Sequence, residues 1–452
     1  LLKQNEIKHE NQFTNLKKKM MDHIKTAQKN MAQSNLDNLD LNTKLSKLTT
    51  NQLLIELEEQ STQIEELLKT KEKYEKLDIL INDDKIEKIT KNYQGEYDKL
   101  IDAKNKIVMP GLINAHTHLG MSIFRATNDN LTLQDWLEKK IWPIENNMTD
   151  EDVYYSSLLS CLEMIKTGTT CASDMYFGYK GTMKAVKDSK IRIAMSRCLI
   201  GDTDKDGLSK IEEFKALIKE YKNNPLVTFT ITPHSMYTCT KKYLKECEKL
   251  ARETNLPIHM HFCENEEEVK IIKENYQKSP VEALQELGFL SHKLILAPGT
   301  FIDEKEQEIL KDKDVSIVTN PLSNLNLGCG IADITSYKKH NINICLGTDG
   351  QGSGNNLNLF KHMSLVANLQ KALYKNPTVI SSYEVLQMAT INSAKALGLE
   401  EKIGSLEEGK QADIIILDLD KIGTFPTPEL FPQIVNNIEE SNILTTIING
   451  EI

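Results

Sequence analysis

Between residues 107 and 349 eight short apolar runs recur, each followed by polar residues and then by a stretch with helical periodicity. They read IVMPGLINAHTH, TTCASDMYF, RIAMSRCLI, LVTFTITPHS, PIHMHFCE, LILAPGT, SIVTNPLSN and INICLGTDG. Each is read as a strand. MTDEDVYYSSLLSCLEMIKTG and TKKYLKECEKLARETN carry the helical period, the first opening on a Thr-x-x-Asp capping pattern. Eight βα units predict an α/β fold of the (β/α)8 TIM-barrel type over residues 110–399, whose chemistry gathers where the strands end.

The flanks differ in texture. Every one of the 21 glycines, 12 prolines and 8 cysteines lies beyond residue 76. Before it, apolar or small residues recur at helical spacing: Met20, Ile24, Ala27 and Met31, then Leu41, Leu45 and Leu48. After a slip in phase come Leu53, Leu57, Ile64, Leu67 and Tyr74. Residues 1–76 are therefore expected to form a helical, coiled-coil-like arm, and such an arm would make the chain a homo-oligomer. LDILINDDKIEKI and KLIDAKNKIVMPG read as strands joined by polar turns, and GSLEEGKQADIIILDLD and NILTTIING return to strands after residue 400. Residues 77–109 and 400–452 are expected to pair as one small β-sandwich domain.

A net charge of −10 gives no electrostatic footprint for nucleic acid or an anionic membrane, and no apolar run of about 20 residues offers a bilayer span. The cysteines contain no CxxC pair and read as buried thiols, which favours the cytoplasm.

His116 and His118 stand two apart, so on a strand their side chains share one face at the barrel mouth. Two neutral imidazoles there are poor core material and good ligands for a cation such as zinc; alone, the pair reads equally well as a solvated strand end. The fifth run adds His259 and His261 on one face, with Glu264 three residues beyond His261, and the eighth ends with Asp349 just past an apolar run. Three imidazoles and one carboxylate would leave a divalent cation a residual positive charge, lowering the pKa of bound water toward neutrality to yield hydroxide. Glu264 is then placed to move protons. His259 sits deeper and is read as structural, and Trp136 as packing.

Residues 77–452 resemble the amidohydrolase superfamily, most closely its 5′-methylthioadenosine/S-adenosylhomocysteine deaminase branch, with the s-triazine chlorohydrolases as relatives. The stretches that carry the resemblance run in order: PGLINAHTHLGMSIFRA, LQDWLEKKIWPIE, GTTCASDMYF, PHSMYTC, HMHFCENEEEV, NPLSNLNLGCGIA, LGTDGQGSGNNLNLF and GSLEEGKQADIIILDLD. The resemblance implies one divalent metal, zinc or else iron or manganese, on His116, His118, His261 and Asp349. It makes Glu264 the acid/base near a purine ring, with Asp349 sharing the proton traffic, and Glu145 and His234 contacts to a purine nucleoside deaminated at C6.

Three departures from the family pattern stand out. The sixth strand of the family ends approximately Ala-His-Cys, its imidazole beside the water, whereas here Ala297 is followed by Pro298, which has no titratable group. His292 lies six residues earlier, roughly 20 Å along an extended strand. The family's homocysteine-bearing substrate is held through its carboxylate by arginines. Arg197 matches one of them, but Lys210 stands at the other position, and a lysine cannot make a bidentate pair. Among methylthioadenosine, S-adenosylhomocysteine and adenosine, that favours a substrate lacking the amino-acid tail, such as methylthioadenosine. Finally, the arm replaces an additional N-terminal strand, and the chain stops at NGEI short of the family's tail, so strands of the β domain are expected to be missing. Three functions follow: a deaminase slowed by Pro298, an inactive metal- and purine-binding homologue, or a hydrolase of another ring substituent, against which Glu264 argues.

Overall fold

The computed structural model describes residues 76–128 and 130–452. The helical arm expected over residues 1–76 therefore lies, but for Lys76, outside the described residues. The chain falls into two units. Of the described residues, 76–80, 89–100 and 420–428 belong to one, and 81–88, 101–419 and 429–452 to the other.

Thirteen strands are present among the described residues: β1 (Asp78–Asn82), β2 (Lys85–Thr90), β3 (Ile107–Pro110), β4 (Leu112–Thr117), β5 (Thr169–Asp174), β6 (Arg192–Met195), β7 (Val227–Phe229), β8 (Ile258–Phe262), β9 (Leu294–Pro298), β10 (Val315–Thr319), β11 (Asn343–Leu346), β12 (Ile414–Leu417) and β13 (Ile443–Ile447). Strands β4 to β11 are the eight barrel strands. They form two parallel sheets, β4-β5-β6-β7 and β8-β9-β10-β11. Backbone hydrogen bonds close the ring. Ile231 N donates to Pro257 O at 2.9 Å and His259 N to Ile231 O at 2.8 Å, joining the end of β7 to β8. Thr348 N and Asp349 N donate to His116 O at 3.1 Å, joining the end of β11 to β4. This is the (β/α)8 barrel that the alternating pattern predicts.

Ile113 and Ala115 of β4, Cys171, Ala194, Ile295, Ala297, Val318 and Cys345 make one buried cluster that spans both sheets. Small alanine and cysteine side chains let strands from the two sheets approach in it. Leu397, Leu399 and Ile403, from the chain beyond β11, pack onto the same cluster. All eight cysteines are free and buried. The helix Asp150–Lys166 opens with the expected capping box: Asp152 N donates to Thr149 Oγ1 at 3.2 Å, and Thr149 N to Asp152 Oδ2 at 2.8 Å. No helix among the described residues is long and apolar enough to cross a membrane.

The flanks meet in a three-stranded sheet ordered β13-β12-β3, with β12 antiparallel to both neighbours and Ile415 opposite Met109 and Thr446. The run IVMPGLINAHTH, read above as one strand, is two. β3 belongs to this small sheet and β4 to the barrel, and the break falls at Gly111. A Cβ on Gly111 would lie 2.2 Å from Thr170 Oγ1, so only glycine lets the chain pass there from one sheet to the other. KLIDAKNKIVMPG likewise becomes a strand only from Ile107.

A buried ion pair ties the barrel to the small sheet. Arg192 on β6 donates from Nε to Asp413 Oδ2 at 2.8 Å and from Nη2 to Asp413 Oδ1 at 2.9 Å, and from Nη1 to Pro225 O at 2.8 Å. The side chains are 3% and 1% exposed. Truncation would leave a guanidinium uncompensated in the interior, so Asp413→Ala is expected to destabilise the fold by about 3–5 kcal/mol. Urea denaturation of the two proteins measures this; a loss under about 1 kcal/mol would show that the pair is not holding the sheet.

Candidate active site

Four groups from three strand ends meet. The ligand atoms of His116, His118, His261 and Asp349 all lie within 4.8 Å of one another. Asp349 Oδ1 is 2.9 Å from His118 Nε2 and 3.6 Å from His116 Nε2, and His118 Nε2 is 3.3 Å from His261 Nε2. β4 ends at Thr117 and its register against β5 shifts after Asn114, so His118 lies one residue beyond the strand that was expected to carry both imidazoles. The two rings still converge, with centroids 4.9 Å apart.

The set fits a divalent metal. Tetrahedral ligation at 2.0–2.2 Å spaces ligand atoms about 3.4 Å apart, close to the distances here. His116 Nε2 is buried with no hydrogen-bond partner, an orphan that a cation would satisfy. The other ring nitrogen of each histidine is engaged elsewhere. His118 Nδ1 lies 2.6 Å from Met175 O, His261 Nδ1 3.2 Å from His234 O, and His116 Nδ1 2.8 Å from His259 Nε2. A carbonyl only accepts, so His118 and His261 each carry a proton on Nδ1 and face the centre with Nε2.

Asp349 is held as firmly. Ser323 Oγ and Ser353 Oγ donate to its Oδ2 at 2.7 and 2.6 Å, leaving Oδ1 toward the histidines. Its φ of 61° puts a non-glycine residue in the left-handed region, a strain of order 1–3 kcal/mol that points the carboxylate inward. Burial alone would raise its pKa, but the histidines that face it, His118 above all, hold it well below the usual carboxylate range. Conversely, burial disfavours a charged His118, yet the hydrogen bond and charge of Asp349 push it up to about 9. Burial holds His116 and His261 down, so they are neutral at pH 7. One proton must therefore leave His118 when a metal binds. Below about pH 9 the affinity should fall about tenfold for each unit of decreasing pH, as a chelator-competition titration between pH 6 and 8 would show. An affinity independent of pH would contradict this protonation state.

Glu264 follows Cys263, whose φ of 52° is also left-handed. Its backbone N donates to Glu268 Oε2 at 2.7 Å. Burial, then the carboxylates of Asp349 and Glu268, push Glu264 up to about 8, so it carries a proton at neutral pH. Glu145 accepts the Tyr176 hydroxyl at 2.7 Å, and burial raises its pKa as well. His234 packs tilted against His261 with ring centroids 4.7 Å apart, and its Nδ1 is 3.0 Å from Thr238 Oγ1. Burial lowers it to about 3, so it is neutral.

Arg197 and Lys210 make their polar contacts elsewhere. Arg197 Nε donates to Glu213 Oε2 at 2.9 Å and its Nη1 to Cys198 O at 2.9 Å, whereas Lys210 Nζ donates to Asp206 Oδ2 at 2.5 Å and Ile200 O at 3.1 Å. On β9, Ala297 lies beside His261 and buried Pro298 beside Phe262, so this strand brings no ionisable group to the centre. His292 precedes β9 and meets Glu248 Oε1 at 3.0 Å. It does not substitute for the missing imidazole.

Several participants were not singled out from the sequence. Ser323 and Ser353 lie inside the stretches NPLSN and DGQGSG; the four-residue spacing of Ser353 from Asp349 is the one local signal. Tyr176, Ser173 and Glu268 act through contacts that only the folded chain creates.

A family model described as the amidohydrolase family matches residues 107–452. The curated 5-methylthioadenosine/S-adenosylhomocysteine deaminase of Thermococcus sibiricus is 41% identical over 381 residues, which cover 83% of this chain and 89% of that protein. The 5′-deoxyadenosine deaminase of Methanococcus aeolicus is 39% identical over 387 residues, again 83% and 89% of the two chains. Among solved structures, an adenosine deaminase from Xanthomonas campestris with bound zinc matches with a TM-score of 0.79 at 28% identity, over 84% of this chain and 88% of that one.

Proposed function

Because this chain belongs to the amidohydrolase family, we propose that it is a metal-dependent aminohydrolase that replaces the C6 amino group of an adenine-type nucleoside by oxygen, methylthioadenosine being the favoured substrate. The observation that carries this is the convergence of His116, His118, His261 and Asp349 within 4.8 Å, with the carboxyl of Glu264 raised by burial and by the charge of Asp349. A divalent cation held by these four, zinc by its fit to N and O donors, supplies Lewis-acid activation of water at neutral pH.

The chain's own groups then divide the work. Glu264, protonated at neutral pH, gives its proton to the ring nitrogen next to C6, which makes C6 electrophilic. The oxygen of water bonds to C6. Asp349 Oδ1, whose partner oxygen is fixed by two serines, and the ionised Glu264 take up the protons that water releases. One of these protons, passed to the amino nitrogen, lets the C–N bond break, and ammonia leaves with the bonding pair; the other stays on Glu264 and restores its acid form, giving an inosine-type product. Glu145, oriented by Tyr176, and neutral His234 hold the nucleoside.

Arg197 and Lys210 are each paired with a carboxylate. Neither is left to receive an amino-acid tail, which supports a substrate that lacks one. We further assign the catalytic domain to residues 110–399 and a small β domain to 77–109 and 400–452. The enzyme would work as a homo-oligomer in the cytoplasm, a setting that suits eight free, buried thiols.

The test is ammonia release from methylthioadenosine, S-adenosylhomocysteine and adenosine by zinc-, iron- and manganese-loaded protein. Turnover is expected on all three nucleosides, with kcat/KM on methylthioadenosine exceeding that on S-adenosylhomocysteine by roughly tenfold, since neither Arg197 nor Lys210 is left for the tail's carboxylate. Pro298 favours a second reading, a purine-binding chain without turnover. It predicts tight nucleoside binding and no ammonia from the metal-loaded protein.

A further inference from the structure

The three histidines at the centre are not oriented alike. His118 and His261 lean on backbone carbonyls, which accept only and so fix the tautomer. His116 leans on another imidazole: its Nδ1 is 2.8 Å from His259 Nε2, and His259 Nδ1 is 3.1 Å from Ser173 Oγ. All three side chains are fully buried, at 0% exposure. Either imidazole of the pair could be the donor, and the direction of that one hydrogen bond decides whether His116 can bind a cation at all. With the proton on Nε2, His116 would aim an N–H at the centre; with the proton on Nδ1, it offers a lone pair there.

We propose that His259 is a positioning residue that selects the metal-binding tautomer of His116, by accepting its Nδ1–H while donating its own Nδ1–H to Ser173 Oγ. Metal binding through Nε2 of His116, which is buried without a hydrogen-bond partner, sets the direction. That nitrogen meets Asp349 Oδ1 at 3.6 Å, and its lone pair is free only when the proton sits on Nδ1. His259 must then accept at Nε2 and hold its proton on Nδ1, and Ser173 on β5 is the acceptor within reach. The ring planes of His116 and His259 stand at 69°, edge to face, so the contact is not a stack. Three strands, β4, β5 and β8, thus contribute one link each to a chain that ends on the metal-facing nitrogen. His259 has the same two-residue spacing before His261 that made the pair look like a ligand motif; its work is to orient a ligand on another strand.

This inference rests on the metal site proposed above, and its test reads metal affinity rather than turnover. His259→Leu fills the volume without an acceptor, leaving the Nδ1–H of His116 buried and unpaired. His259→Gln puts a carbonyl oxygen close to the place of the lost Nε2. Zinc affinity by chelator competition is expected to fall about 10–100-fold in His259→Leu, the usual effect of removing a group that orients a ligand, and to stay within about threefold of the parent in His259→Gln. Ser173→Ala should show a smaller loss in the same direction. Nitrogen-15 spectra of the labelled imidazoles should place the His116 proton on Nδ1 in the parent and in His259→Gln. A His259→Leu protein that binds zinc like the parent overturns the proposal, as does a His259→Gln protein as weak as His259→Leu, because packing rather than hydrogen bonding would then be at work. Parent protein that takes up no metal overturns the proposed function together with this inference. Parent metal binding with an unaffected His259→Leu overturns this inference alone.

Discussion

Glu264→Gln is expected to lower kcat/KM by about 10²–10⁴-fold with the bound metal unchanged, because glutamine keeps the shape of the side chain and removes its proton. Glu264 is not among the four groups that meet at the centre, so metal content by elemental analysis should match the parent. The pH profile carries independent information. Glu264 is useful as an acid only while protonated, and burial with the carboxylates of Asp349 and Glu268 raises it to about 8 in the metal-free chain. A cation nearby favours the ionised form and moves this value down. The parent rate should therefore decline with rising pH along a limb lying at or below about pH 8. In Glu264→Gln that limb should vanish. A parent rate still climbing at pH 9 would assign the proton to another group, and a Glu264→Gln enzyme with undiminished rate would remove Glu264 from the chemistry.

The second large effect runs upward. The end of β9 brings no ionisable group to the site, since Ala297 and Pro298 lie beside His261 and Phe262. In the proposed mechanism proton traffic falls to Glu264 and Asp349 alone, and Asp349, held well below the usual carboxylate range, is a weak base. Pro298→His restores the imidazole that the resembling family carries at this place. A general base acting beside the water is worth about 10²–10⁴-fold, and an introduced one that is imperfectly placed should recover about 10²-fold in kcat. KM should move little, because water activation is not substrate binding. Equal rates for the parent and Pro298→His would show that chemistry at the water does not limit turnover. Ammonia from neither protein, with zinc and nucleoside both bound, would establish the non-catalytic reading.

The barrel and most of the site were legible because each has a local signature. Eight runs of buried residues alternate with helical stretches, and the paired histidines with Asp349 fall where such runs end. What stayed hidden is non-local. Ser323 and Ser353 become partners of Asp349 only when two short helices, Pro321–Asn326 and Gln351–Gly354, pack beside it. Ser173 and His259 are 86 residues apart and meet because β5 and β8 face one another across the ring. Gly111 is different again: its neighbour Thr170 belongs to β5, so the packing that forces the break between β3 and β4 is absent from the run itself. LVTFTITPHS reads as one long strand, but its ladder ends at Phe229, and Ile231 already bonds to the β8 side. Arg197 looked available because its partner Glu213 comes from the following helix, 16 residues on.

The account depends on one cation bound by three imidazoles and a carboxylate. Anomalous X-ray scattering at the zinc edge, from crystals of zinc-loaded protein, tests it most directly. The expected result is a single strong peak about 2.0–2.2 Å from His116 Nε2, His118 Nε2, His261 Nε2 and Asp349 Oδ1. A map without a peak among these four atoms, or with the zinc held by other side chains, would contradict the account.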